Sequence, residues 1–193
     1  PDIGIVFQEA NLLPWRNLDA NIRFPFEIKG EKQDRAWIAH LLNRVGLDGF
    51  GGKFPRELSG GMQQRAAIVR ALALKPSVLL MDEPFGALDS FTREEMNRLV
   101  EEIWLDTKTT IVFITHSIEE AIFLSDRVVV LSARPGRVAK ESRVPFPRPR
   151  SLEIMATREV FDLTNRIKMD IVGERTRPKA PERPSAEIVR IRP

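Results

Sequence analysis

Val78-Leu79-Leu80-Met81-Asp82-Glu83, followed directly by Pro84-Phe85-Gly86-Ala87-Leu88-Asp89, sets the reading of the whole chain. Four consecutive apolar residues predict a short strand, and their lack of alternation predicts burial on both faces, as in a parallel sheet covered by helices. Two carboxylates close the strand and a proline turn follows. In open α/β sheets, ligands bind beyond the carboxyl ends of the strands, so Asp82 and Glu83 stand where chemistry is expected. Asp82 suits Mg²⁺, an ion that takes oxygen ligands and keeps several waters. Glu83 suits a base that orients and deprotonates a water. By itself, an Asp-Glu pair before a proline is commonly no more than a solvated turn.

One helix upstream lies Leu58-Ser59-Gly60-Gly61-Met62-Gln63-Gln64-Arg65. Ser59 is a predicted N-cap, and Gly60 and Gly61 leave the first amides of a helix over Met62–Leu74 uncovered. A helix start carries unpaired N–H donors and roughly half a positive charge, which makes an anion site suited to phosphate. An ordinary Ser-Gly-Gly turn has the same composition. Further out, the spacing predicts a strand at Ile3–Phe7, loop and short elements over Asn11–Gly30, and a helix over Asp34–Val45 capped by Asp34 and closed by Gly46. Downstream it predicts a helix at Thr92–Asp106 and a buried strand at Thr110–Thr115. A helix at Ile118–Leu124 and a strand at Arg127–Leu131 follow. Val138–Val144 is predicted to pair back antiparallel after a turn at Arg134–Arg137. Ser151–Ile171 is predicted as one helix. Strands alternating with helices give an α/β fold with a largely parallel sheet.

The composition bounds this reading. With 193 residues, 42% of them hydrophobic, the chain supports one globular domain with a real core. There is no cysteine, which excludes disulfides, thiolate metal sites and Cys nucleophiles. No apolar run approaches the roughly 18–20 residues of a membrane span. The net charge of +3 conceals an asymmetry: residues 132–193 carry 15 Lys/Arg against 8 Asp/Glu. No aromatic side chains interleave the last of these charges to stack bases, so a solvated, flexible basic tail over 173–193 is expected and nucleic acid is not expected as a partner.

In their order, Gln8, Leu58–Met62, Val78–Glu83, Ala87–Asp89 and His116 resemble the nucleotide-binding subunit of ABC transporters. The matching elements are its glutamine loop, LSGGQ-type signature, Walker-B strand with glutamate, D-loop and switch histidine. The likeness runs from about Ile3 to about Val144. It implies a P-loop NTPase-like ABC ATPase core, with a mostly parallel sheet and an α-helical signature subdomain inserted over about 11–75. Residues 1–144 form the partial ATPase domain, 145–172 a C-terminal helical extension and 173–193 the tail.

The resemblance also implies roles. Ser59, Gly60, Gly61 and Met62 would grip the γ-phosphate of ATP held by the opposite protomer, Met62 standing where many members have Gln. Asp82 would serve Mg²⁺, with Gln8 sensing both the metal and the attacking water. Glu83 would be the catalytic base, His116 would bond the γ-phosphate, and Asp89 would help couple two sites across a dimer. His40, the other of the two histidines, is expected to be structural or exposed.

The family's P-loop, G-x-x-x-x-G-K-[ST], is not found. Gly46–Lys53 does not supply it, because Gly52-Lys53 is followed by Phe54 and the stretch lies after the glutamine loop. The chain also holds no tyrosine for stacking on adenine. Since Pro1 leads almost at once into a strand, the expected fold is incomplete at its N-terminus. Phe7-Gln8-Glu9 with Leu12-Leu13-Pro14-Trp15, Glu83–Asp89, Leu131–Arg137 and Pro145–Arg150 resemble the nitrate/sulfonate/taurine group of bacterial importers. For that group the resemblance implies a homodimer acting with integral-membrane permease subunits. These would be met through the loop carrying Pro14-Trp15, and a solute-binding protein would act indirectly. The place would be peripheral, at the cytoplasmic face of the bacterial inner membrane. Two alternatives stand beside it: a soluble ABC ATPase outside transport, and a non-catalytic fragment acting as a binding module.

Overall fold

A computed structural model describes residues 3–132 and 136–176. β1 (Ile3–Val6), β2 (Val78–Asp82) and β3 (Thr110–Ile114) form a parallel sheet in the order β1-β2-β3. Its register aligns Val6 with Met81 and Met81 with Phe113. Parallel neighbours need long crossovers, and the chain supplies them as helices. Between β1 and β2 run α1 (Leu18–Lys29), α2 (Arg35–Arg44) and α3 (Gly60–Leu72); between β2 and β3 runs α4 (Ser90–Thr107). After β3 come α5 (Ile118–Leu124), β4 (Arg127–Leu131), β5 (Val138–Arg143), α6 (Leu152–Met155) and α7 (Arg158–Thr176). β4 and β5 make a separate antiparallel ribbon, as the sequence pattern leads one to expect.

Two hydrophobic clusters hold these parts. The larger joins Val6, Leu79 and Met81 of the sheet to Leu18, Ile22, Leu41, Ile68, Leu72, Met96 and Val100 of the first four helices. The smaller packs Ile122 of α5 and Val128 and Val130 of β4 under Val160, Leu163 and Ile167 of α7. At Gly4 the sheet and α3 meet so closely that a Cβ would stand 2.7 Å from the Ala71 carbonyl.

Four expectations are corrected. Asn11–Gly30 is not loop and short elements alone, because the 12-residue α1 (Leu18–Lys29) occupies most of it despite Pro25. Leu18, Ile22 and Phe26 fall on one helical face and are buried. Asn17 caps the start and Gly30, at φ 67°, the end. Burial of that face offsets the roughly 3 kcal/mol that an interior proline costs. The three-stranded sheet is not buried on both faces. Leu79 and Met81 are covered, while Ile3, Ile5, Val112 and Ile114 on the opposite face are about half exposed. Ser151–Ile171 is not one helix: the chain turns at Ala156-Thr157, where the Thr157 hydroxyl donates to the Ile154 carbonyl. Nor does the helix end at Ile171, since α7 runs on to Thr176, into the start of the expected tail. Most of the expected tail, 177–193, and residues 133–135 of the expected turn lie outside the described residues. No helix among the described residues is long and apolar enough to cross a membrane.

Candidate active site at the carboxyl edge of the sheet

Parallel register brings the three strand ends to one edge. Gln8 follows β1, Asp82 ends β2 with Glu83 just beyond it, and His116 follows β3. The turn after β2 is the best-defined part of this edge. Glu83 takes φ 42°, in the left-handed region that side chains rarely adopt. Its N–H donates to the Ile114 carbonyl at 2.9 Å and its carbonyl accepts from Gly86 N at 3.1 Å. Phe85, fully buried, anchors the turn and packs against Phe113 at 5.7 Å between ring centroids. Backbone held in such a region clusters at functional sites. Here it sets the Glu83 carboxylate 3.2 Å from His116 Nδ1.

Gln8 lies over the same turn: a Cβ built at Gly86 would stand 3.2 Å from Gln8 Nε2. The backbone before it is fixed from α3, whose buried Gln64 donates to the Phe7 carbonyl at 2.8 Å. Arg70, also on α3, donates to the carbonyls of Ala10 and Asn11. Burial holds the Arg70 guanidinium below its ordinary value. Asp82 is exposed at the strand end. Gln8, Asp82, Glu83 and His116 thus share one open edge. Among the described residues no cluster of three acidic or histidine groups could hold a metal by itself. A donor set of one carboxylate and one amide oxygen suits an ion that keeps its waters and takes phosphate oxygens.

The second group of expected residues gathers at the starts of α3 and α4. Ser59 caps α3, its Oγ accepting from Met62 N at 3.2 Å, so the helix begins at Gly60, two residues before the expected start. A side chain at Gly60 would meet open space, whereas a Cβ at Gly61 would stand 3.0 Å from Thr92 on α4. Met62 is partly buried and packs its side chain against the larger core. Asp89 caps α4 and accepts from Phe91 N, Thr92 N and the Thr92 hydroxyl. The Thr92 amide, then the Thr92 hydroxyl, hold its carboxyl below the usual carboxylate range. His40 sits half exposed on α2, stacked on Trp37 and 3.5 Å from an Asp106 oxygen, as a surface residue.

The sequence reading missed Asn21, Arg93, Glu120 and Arg150. Asn21 is fully buried on α1 and bonds both the N–H and the carbonyl of Leu13, shaping the loop before Trp15, whose side chain is exposed. Arg93 and Glu120 join the turns at Asp89 and His116, and Arg150 ties the C-terminal segment to α5. A buried Asn, Glu or Arg carries no periodic signal; only the Ser117-x-x-Glu120 spacing, a capping-box pattern, marked one of them.

A parallel sheet with helices in its crossovers, carboxylates at the strand ends and an anion-ready helix start define an α/β core of the P-loop NTPase-like kind. Comparison with known proteins narrows the likeness. Residues 1–86 match the family model described as ABC transporter. A taurine import ATP-binding protein TauB of Rhizobium johnstonii is 53% identical over 76% of this chain and 57% of its own length. An aliphatic sulfonates import ATP-binding protein SsuB of Bacillus cereus is 46% identical over 78% of this chain and 60% of its own. Among solved structures, the dimeric ATP-binding cassette MJ0796 bound to ADP and Pi matches at TM-score 0.62 and 34% identity, over 76% of this chain and 64% of that one. Over about three quarters of its length the chain is thus similar to ATP-binding proteins of ABC transporters. It spans about three-fifths of the length of the TauB and SsuB relatives.

Proposed function

We propose that the protein is the ATP-hydrolysing subunit of a bacterial ABC importer for a small oxyanion-type solute, a sulfonate such as taurine being the class its relatives name. The observation that carries this reading is the Glu83 carboxylate, held by a left-handed backbone turn at the carboxyl edge of a parallel sheet, 3.2 Å from His116. Glu83 accepts the proton of a water attacking the γ-phosphate of ATP, and His116 orients that carboxylate and bonds the phosphate. Gln8 positions the same water. Asp82, with Gln8, would hold Mg²⁺, which when bound neutralises charge developing on the phosphates. Ser59, Gly60 and Gly61 grip the γ-phosphate at the site of a second copy, with Asp89 linking the two sites. Two copies act with integral-membrane permease subunits at the cytoplasmic face of the inner membrane, and a solute-binding protein delivers the solute to the permease.

The exposed Trp15 is the surface we assign to the permease contact. Exposed aromatics that become buried are typical energetic anchors of interfaces, with truncation costing about 2 kcal/mol or more. In the reconstituted transporter, Trp15→Ala is expected to lower permease affinity about thirtyfold by that measure and to abolish solute-stimulated ATPase, leaving basal hydrolysis in place. Unchanged stimulation would remove Trp15 from the contact. A subunit that co-purifies with no permease would remove the importer role.

A further inference from the structure

Between the turn at Asp89 and the turn at His116 lies a chain of polar contacts that the hydrolytic residues do not explain. Arg93, one turn into α4, donates from Nη2 to the Leu88 carbonyl at 2.9 Å, holding the residue before Asp89. Its Nε is buried, has no hydrogen-bond partner, and lies 3.6 Å from Glu120 Oε1, within ion-pair distance. Glu120 is buried in the first turn of α5. Its other oxygen accepts the Thr115 hydroxyl proton at 2.6 Å, and Thr115 Oγ1 in turn accepts from Ser117 N at 2.9 Å. The residues on both sides of His116 are therefore gathered onto Glu120.

The arrangement departs from what local chemistry favours. With Ser117 capping α5 and Glu120 three residues later, a capping box would have the carboxylate bond the Ser117 amide. Ser117 Oγ does accept from Glu120 N at 3.2 Å, but the carboxylate is diverted to Thr115 and to Arg93, and Thr115 serves the Ser117 amide in its place. A buried carboxylate and a buried guanidinium nitrogen each cost free energy unless paired, and here they face one another across the boundary between α4 and α5.

We propose that Arg93 and Glu120 are positioning residues forming one link, through which the Leu88-Asp89 turn sets the place of His116 against Glu83. The inference rests on the hydrolytic reading of the Glu83–His116 edge. When a second copy engages the Asp89 turn, Arg93 carries the shift to Glu120, and Thr115 and Ser117 carry it to His116. Hydrolysis is thereby tied to engagement of the neighbouring protomer.

The test measures steady-state ATPase and thermal midpoint of the complete subunit in its transporter, for Arg93→Met, Glu120→Gln, the double variant and His116→Ala. Misplacing a catalytic group by an ångström costs on the order of a hundredfold. Each single variant is expected to lose about ten- to a hundredfold in kcat with KM for ATP unchanged, and the double variant no more than either single, because both break the same link. Losses that multiply in the double variant overturn the link. A lowered thermal midpoint with unchanged kcat overturns the positioning role and leaves a structural one. If His116→Ala is inactive while Arg93→Met and Glu120→Gln turn over normally, the link fails and the edge stands. If His116→Ala itself turns over normally, the reading of the edge fails and the link falls with it.

Discussion

Glu83→Gln is expected to lower ATP turnover by about 10²–10⁴-fold, the contribution typical of a positioned general base, while ATP still binds. The carboxylate is the group at the edge best placed to take a proton from water. It is fixed by three features that the amide keeps: the φ of 42°, the bond from Glu83 N to the Ile114 carbonyl, and the buried Phe85 anchor. Glutamine matches glutamate in size and can still accept from His116 Nδ1, 3.2 Å away in the parent protein, so the turn and the nucleotide contacts survive. What is lost is basicity. Nucleotide affinity by equilibrium titration and hydrolysis by phosphate release, measured on the same transporter, separate the two. Retained turnover would remove Glu83 from its role; lost nucleotide binding would show that the substitution damages the edge rather than its chemistry.

A loss of about 3–5 kcal/mol in stability, the scale for breaking a buried charge network, is expected for Arg150→Met. The Arg150 side chain is almost wholly enclosed and donates to the carbonyls of Ile122, Phe123 and Ser125 at 2.7–2.9 Å, closing the C-terminal end of α5. It also donates to the Phe146 carbonyl, while its own N–H bonds the buried Glu101 carboxylate. Burial, and then the neighbouring Arg148 charge, bring the guanidinium down to about 10, so it remains a cation at neutral pH. A base whose folded value lies below its unfolded one costs stability while charged. That cost persists below pH about 10 and is relieved as the pH rises above it toward the ordinary, higher value of a guanidinium. The carbonyl bonds offset it in the parent. Methionine removes the charge but leaves those carbonyls unpaired at about 1–3 kcal/mol each, while Glu101 keeps its ion pair to Arg148 at 3.3 Å. Denaturant titration of the full chain measures the difference, and a change below about 1 kcal/mol would mean that the residues around Ile122 find other donors.

Glu83 is marked by its local sequence, whereas Arg150 is not. The strands, the carboxylates at the end of β2 and the cap at Ser59 were legible because each rests on local chemistry: an apolar run, a turn, an N-cap residue before glycines. Their assembly at one edge followed from the parallel sheet that βα alternation implies. α1 was obscured by Pro25, although Leu18, Ile22 and Phe26 already repeat at i, i+4 and i+8 and Asn17 and Gly30 frame them. The open sheet face was not legible, since Val112 and Ile114 are as apolar as Leu79 and only the packing separates them. Arg150 was not legible either, since it is a common surface residue type buried by partners 25–28 positions away; Glu120 was marked by its spacing from Ser117, but its pairing with Arg93, 27 positions away, was not.

The central claim is that Ser59 and Glu83 of different copies serve one nucleotide. It is tested most directly in transporters purified so that each holds one copy of each of two differently tagged complete subunits, these being the mixtures compared. One copy carries Glu83→Gln and the other Ser59→Arg, and the hydrolysis rate is compared with that of a double variant paired with the unaltered subunit. A shared pocket built from two copies leaves one intact site in the first mixture and none in the second, so the first should hydrolyse ATP and the second should not. The reverse pattern would mean that each copy acts on its own nucleotide, and the composite site would be wrong.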